Sequence, residues 1–129
     1  MPITPIYAGA LALLFVALSV RTLRLRRRLG IAIGDGGDDL MLRAMRAHAN
    51  FAEYTPLALL LVLMLELQGG SPWQVHALGA MLLAGRTLHA FGVSRTPERY
   101  VYRVSGMALT FTVIIGAALG AAGLSLSGL

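Results

Sequence analysis

The sequence predicts an all-α membrane protein, a bundle of four transmembrane helices running up, down, up and down. Three observations carry that expectation. Hydrophobic residues fill 57% of 129 positions and the mean hydropathy is +0.71, more apolar than a water-soluble chain of this size. Long apolar stretches alternate with short segments rich in glycine, proline or charge. Every one of the eleven basic residues is arginine, and they gather at the ends of apolar stretches, where cationic side chains orient a chain in a bilayer. No internal repeat, linker or low-complexity stretch divides the sequence, so residues 1–129 read as one domain.

The first apolar run, Ile3–Val20, is followed by Arg21, Arg24, Arg26, Arg27 and Arg28. A cleaved leader carries its positive charge ahead of the apolar run, so this one reads as a retained first helix. Ile31–Asp39 holds Gly34, Gly36 and Gly37 among three aspartates and reads as a loop. Asp38 or Asp39 caps a second helix that runs to about Leu67, longer than a bilayer requires. Pro56 lies inside it and is expected to kink it. Gln68–Pro72 is a turn in which Ser71 caps and Pro72 opens a third helix, to about Gly92, with Trp73 at its interfacial end. Thr96-Pro97 repeats the cap-then-proline pattern, and a fourth helix runs from there to about Leu126. Both arginine-bearing connections then fall on one side, and Met1–Thr4 and Gln68–Trp73, on the other, contain no basic residue. The positive-inside rule makes the arginine side cytoplasmic and places both termini outside.

Several function classes drop out. The chain has no cysteine, which excludes disulfides and a cysteine nucleophile. His48, His76 and His89 match no metal-ligand spacing, so no metal is expected. The net charge of +5 is read as membrane orientation and not as a nucleic-acid surface. A small four-helix efflux pump would need an acidic residue embedded in its first helix, and Ile3–Val20 has none.

What remains is a polar constellation on hydrophobic helices. Arg43, Arg46, Asn50 and Glu53 are spaced by three, four and three, one continuous stripe of a helix. Glu53 stands roughly 15 Å above Arg43, inside the hydrocarbon layer, where an unpaired carboxylate is untenable. Helix three adds Arg86 and His89; helix four adds Arg99, Tyr100, Tyr102 and Arg103. Each has a plainer reading. Arg21–Arg28 serves as a solvated anchor unless Arg24 turns inward. Arg43 and Arg46 snorkel to head groups. Asn50 and Glu53 clamp helices together. Arg86 pairs with Glu53 or a backbone carbonyl, and His89 is a satisfied core histidine. Gly116, Gly120 and Gly123 form a small-residue packing face. Taken together, though, the set suits a ligand with two or more carboxylates for the arginines and an amine for Glu53. A small acidic peptide meets this description, and a lipid phosphate head group meets part of it.

The run Arg46-Ala-His-Ala-Asn50-Phe-Ala-Glu53-Tyr54-Thr-Pro56 resembles the helix-two signature of the MAPEG family, the membrane-associated proteins in eicosanoid and glutathione metabolism. Leu23–Arg26, Ala84–His89 and Arg95–Arg99 agree with that family in order and spacing, and Gly34–Gly37 resembles its short bacterial members. The resemblance implies a homotrimer in the bacterial inner membrane that binds glutathione as co-substrate between subunits, near the cytoplasmic side. By position, Arg24, Arg46, Asn50, Glu53, Tyr54, His89, Tyr100 and Arg103 would line the glutathione site. Arg99 matches the helix-four arginine that stabilises the glutathione thiolate. The implied activity is transfer of glutathione to a hydrophobic electrophile, or reduction of a lipid hydroperoxide. The alternative is a non-catalytic lipid-binding or adaptor protein on the same fold. A helix-three tyrosine of the eicosanoid-handling members falls at Val93 and a helix-four tyrosine at Arg103. Those departures point toward a bacterial lipophile or hydroperoxide as second substrate.

Overall fold

The computed structural model describes residues 1–128 as four antiparallel helices: α1 (Thr4–Leu29), α2 (Asp39–Leu67), α3 (Pro72–Val93) and α4 (Tyr100–Ser127). The buried positions explain how they pack. On α1 they are Thr4, Leu11, Leu18 and Leu25, one every seven residues. On α2 they are Met41, Ala44, Ala47, Phe51, Thr55, Ala58, Val62 and Leu65, each three or four after the last. Such a seam keeps one face of each helix on its neighbours. The opposite faces expose Ile6, Leu13, Val16, Leu57, Leu60, Ile115 and Leu119. An apolar exterior around a packed interior is what a bilayer demands of a helical bundle.

Length and composition make α1, α2 and α4 long and apolar enough to cross a membrane. α3 is the fourth helix of the expected bundle and is not among these three, because it carries Gln74, His76, Arg86, Thr87 and His89. Its position accounts for the difference. α3 touches each of the other three helices, and α1 and α4 lie apart on either side of the α2–α3 pair. Arg86 and His89 are therefore sheltered by protein, whereas Gln74, His76 and Thr87 stand on the exposed side of the helix. At about 1.5 Å per residue its 22 residues traverse about 33 Å, the thickness the longer helices cross.

Local signals set most helix ends. Asp38 accepts a hydrogen bond from the Met41 amide at 2.8 Å and starts α2. At the start of α3 the Ser71 amide donates to the Gln74 side-chain oxygen at 3.2 Å, one half of a capping box. α1 ends at Gly30, whose φ of +66° places it in the left-handed region. Arg26 then donates to the Gly34 carbonyl at 2.9 Å and shapes the following loop. α4 begins three residues later than the Thr96-Pro97 pattern suggests. Residues 94–99 close instead as a loop, with the Arg99 amide donating to the Gly92 carbonyl at 3.2 Å, and Tyr100 is the first helical residue.

Two long-range features fix the frame. Glu66, near the end of α2, accepts hydrogen bonds from the Ile3 amide and, at 2.9 Å, from the Thr4 amide. A carboxylate from another helix thus satisfies amides that the first turn of α1 leaves without partners. α3 and α4 meet closely at glycines. A Cβ on Gly106 would stand 2.5 Å from both the Gly85 carbonyl and the His89 nitrogen, and one on Gly92 would stand 2.5 Å from the Arg103 nitrogen. The small residues further along behave differently. Gly116 and Gly120 face Leu78 and Leu65 side chains, and Gly123 faces open space. Pro56 sits inside α2 as expected.

Candidate functional site

The close α3–α4 crossing brings the polar residues of three helices to the arginine-bearing end of the bundle. There they enclose a cavity of about 220 Å³. α2 supplies Asp39, Leu42, Arg43, Arg46 and Asn50, one side of that helix at three- and four-residue spacing. α3 supplies His89 and Val93, the α3–α4 loop supplies Glu98, and α4 supplies Arg103.

The walls are held by charge-assisted contacts. Glu98 accepts from Arg103 at 2.7 Å and lies 3.8 Å from Arg43. Arg43 also donates to Asp39 at 2.9 Å and to the Val93 carbonyl at 3.3 Å, tying α2 to the last turn of α3. Arg21 of α1 reaches the same helix end, donating to the Ser94 hydroxyl at 2.6 Å and to its carbonyl at 3.2 Å. α3 has no basic residue in its own last turn, so α1 and α2 supply the cations that its carboxyl end favours. Three arginines against two carboxylates leave the cavity with a positive excess suited to an anionic ligand.

Of the residues expected at one site, the fold brings Arg46, Asn50, His89 and Arg103 together on this cavity. Glu53 stands beside it and pairs with Arg46 at 3.7 Å, both side chains about half exposed. The carboxylate is therefore compensated within its own helix. Arg86 does not reach it; of the two partners expected for Arg86, the backbone carbonyl is the one it finds, at Asn50. Tyr54 is half-buried, edge-on to Phe111 with ring centroids 5.7 Å apart, and the Arg86 guanidinium carbon lies 6.0 Å from its ring centroid. Tyr100 is exposed and shares an open cleft with Arg103, Met107 and Phe111. Arg99 is exposed at the mouth of α4, and among the described residues its side chain forms no ion pair. Arg24 lies on the outer face of α1 with Val16, Val20, Arg21 and Arg28. It does not join the cavity, which α2, α3, the α3–α4 loop and α4 line.

Sequence reasoning passed over Glu98 and Asp39 as cavity residues and the Arg86–Asn50 bond as an internal tie. The signal for Glu98 was faint but present: it is the single acid among Arg95, Arg99 and Arg103, and an acid so placed has cations to bridge. The other two histidines serve packing. His48 stacks on Phe15 at 4.8 Å and meets the Ser19 hydroxyl at 3.0 Å, and His76 pairs with the Tyr7 hydroxyl at 2.9 Å.

A four-helix membrane bundle with a basic, open cavity built around the Arg46–Tyr54 stretch defines a class. The MAPEG family model matches residues 4–123, and the chain belongs to that family. Among curated relatives, the chain is 38% identical over 113 residues to the inner membrane protein YecN of Escherichia coli K12. The match covers 88% of this chain and 85% of that protein, and YecN of the O6:H1 strain CFT073 matches equally.

Proposed function

We propose that this protein binds glutathione at the arginine-lined cavity and transfers it to a hydrophobic electrophile or uses it to reduce a lipid hydroperoxide. The observation that carries the reading is the convergence of Arg46, Asn50, His89 and Arg103 on one open cavity, with Glu53 beside it, in a chain of this family. Glutathione has two carboxylates and one ammonium group, which fit the arginines and Glu53 respectively. Arg99, exposed and, among the described residues, without an ion pair, is available to stabilise the thiolate, the reactive form of the sulfur. In the transfer reaction the thiolate forms a carbon–sulfur bond and the leaving group departs with its electron pair. In the peroxide reaction it attacks the distal peroxide oxygen; the O–O bond breaks and the alkoxide takes a proton. The resulting glutathione sulfenic acid then reacts with a second glutathione to give the disulfide and water. Turnover of glutathione in proteoliposomes with an electrophile or a lipid hydroperoxide tests this reading.

The site is proposed to be shared between subunits of a homotrimer. One subunit's cavity, about 220 Å³, is smaller than the roughly 300 Å³ at which small-molecule sites begin, and it opens where Arg46 and Glu53 are exposed. Arg24 and Tyr100 would complete it from a neighbouring copy. Chemical crosslinking in mild detergent is expected to give a ladder ending at trimer; a ladder ending at monomer or dimer contradicts the shared site. The inner-membrane location of YecN supports the same location here, with the arginine-rich connections facing the cytoplasm.

A further inference from the structure

Arg86 is 1% exposed, the largest fully buried side chain of the described residues, and none of the ion pairs among those residues includes it. Its Nη1 donates to the Asn50 Oδ1 at 2.7 Å and to the Asn50 carbonyl at 3.2 Å, its Nη2 reaches the Met107 sulfur at 3.4 Å, and its Nε has no partner. A buried cation held by one residue's dipoles is an expensive arrangement. It has a consequence for the cavity, because Asn50 is also part of the cavity wall.

We infer that Arg86 is a positioning residue that locks the Asn50 amide, so that this wall offers the ligand a hydrogen-bond donor and never an acceptor. A guanidinium carries donors only, so whatever faces it must be an oxygen. The Asn50 Oδ1 is therefore committed inward, and the two N–H groups of Nδ2 are what remain for the cavity. Rotation of the amide would set Nδ2 against Nη1, donor against donor, and leave the buried charge without its shortest contact. The group that Asn50 binds must then bring an oxygen: a carboxylate or a peptide carbonyl, not an amine. The acceptors for an amine are elsewhere, at Asp39, Glu98 and Glu53. The identity of the ligand as glutathione rests on the preceding reading; the lock itself does not.

Asn50→Asp separates the possibilities, because an aspartate keeps an oxygen on Arg86 and turns the other toward the cavity. Thermal midpoints of the detergent-solubilised protein are measured for Asn50→Asp, Arg86→Met and the double variant, and glutathione affinity for the same set plus Arg86→Gln. The lock predicts that Asn50→Asp raises the midpoint when Arg86 is present and lowers it in the Arg86→Met background. It predicts that Asn50→Asp weakens glutathione binding at least tenfold and raises KM more than it lowers kcat. Arg86→Met weakens binding comparably, and Arg86→Gln, whose amide N–H groups donate to the same oxygen, restores most of that loss. Equal midpoint shifts in both backgrounds, or undiminished binding by Asn50→Asp, overturn the lock. Should the unsubstituted protein bind no glutathione, the preceding reading fails, and the midpoint comparison alone decides the lock.

Discussion

Arg99→Ala is expected to lower turnover of glutathione about a hundredfold at pH 7, the scale of losing one preorganised stabiliser of developing charge, while affinity for glutathione changes far less. The argument runs through the sulfur. A free thiol has a pKa near about 8.5 and is mostly protonated at neutral pH. A guanidinium beside it lowers that value, so under the proposed function the unsubstituted protein is expected to hold thiolate at pH 7, with a rate that levels off at lower pH. Without the guanidinium the thiol returns toward its ordinary value, and the variant's rate should keep rising between about pH 7 and 9. Arg99→Lys retains the charge and should recover part of the loss. The full pH–rate profile of all three proteins checks this. A variant whose rate falls equally at every pH would mean that Arg99 acts on something other than ionisation.

Gly106→Ala should be the most damaging small change to the fold. The new Cβ would stand 2.5 Å from the Gly85 carbonyl and 2.5 Å from the His89 nitrogen, backbone atoms that no side-chain rotation can move away. α3 and α4 must separate, at about 3 kcal/mol for overpacking of this kind, or roughly 10 °C in thermal midpoint for a chain of this length. His89 lines the cavity, so ligand binding should weaken with the fold. Gly123→Ala is the matched control. Nothing lies within 4 Å of its Cβ position, and alanine favours the helix by about 1 kcal/mol, so its midpoint should hold or rise. Thermal unfolding in one detergent compares the two. A Gly106→Ala midpoint within a degree or two of the parent would mean that the helices do not cross there.

The contrast between these glycines shows what the sequence made legible. The small-residue pattern at Gly116, Gly120 and Gly123 was visible, but the tight crossing runs through Gly85, Gly92 and Gly106. Their spacing says little until α3 and α4 are placed in register. Signals contained within one turn fared better, as with Asp38 at the start of α2 and the Ser71–Gln74 contact before α3. The Thr96-Pro97 pattern looked equally local, but the chain there answers to a distant contact, the Arg99 amide on the Gly92 carbonyl.

The candidate site divides in the same way. The α2 stripe of Arg46 and Asn50 was readable from helical spacing, and the fold places both on the cavity. Which partner each residue takes was not, because that depends on which helix lies opposite. Glu53 finds Arg46 on its own helix, and Asn50 finds Arg86 across the α2–α3 contact. Glu98 enters the cavity because the loop after α3 folds back over α2 to meet Arg43. Arg24 and Arg99 lie outside the cavity of one subunit, which is why the proposed site depends on assembly.

Equilibrium binding of glutathione to the purified, detergent-solubilised protein, with Glu53→Gln beside it, tests the central claim most directly. The account predicts saturable binding that weakens at least tenfold in the variant, because the amide keeps the shape of the carboxylate but cannot pair with an ammonium group. Absence of binding by well-folded protein, or equal binding by both, would contradict it. In the first case the Arg46–Glu53 stripe would serve the fold alone, with Asn50 tied to Arg86 across α2 and α3, and the chain would be a lipid-binding adaptor.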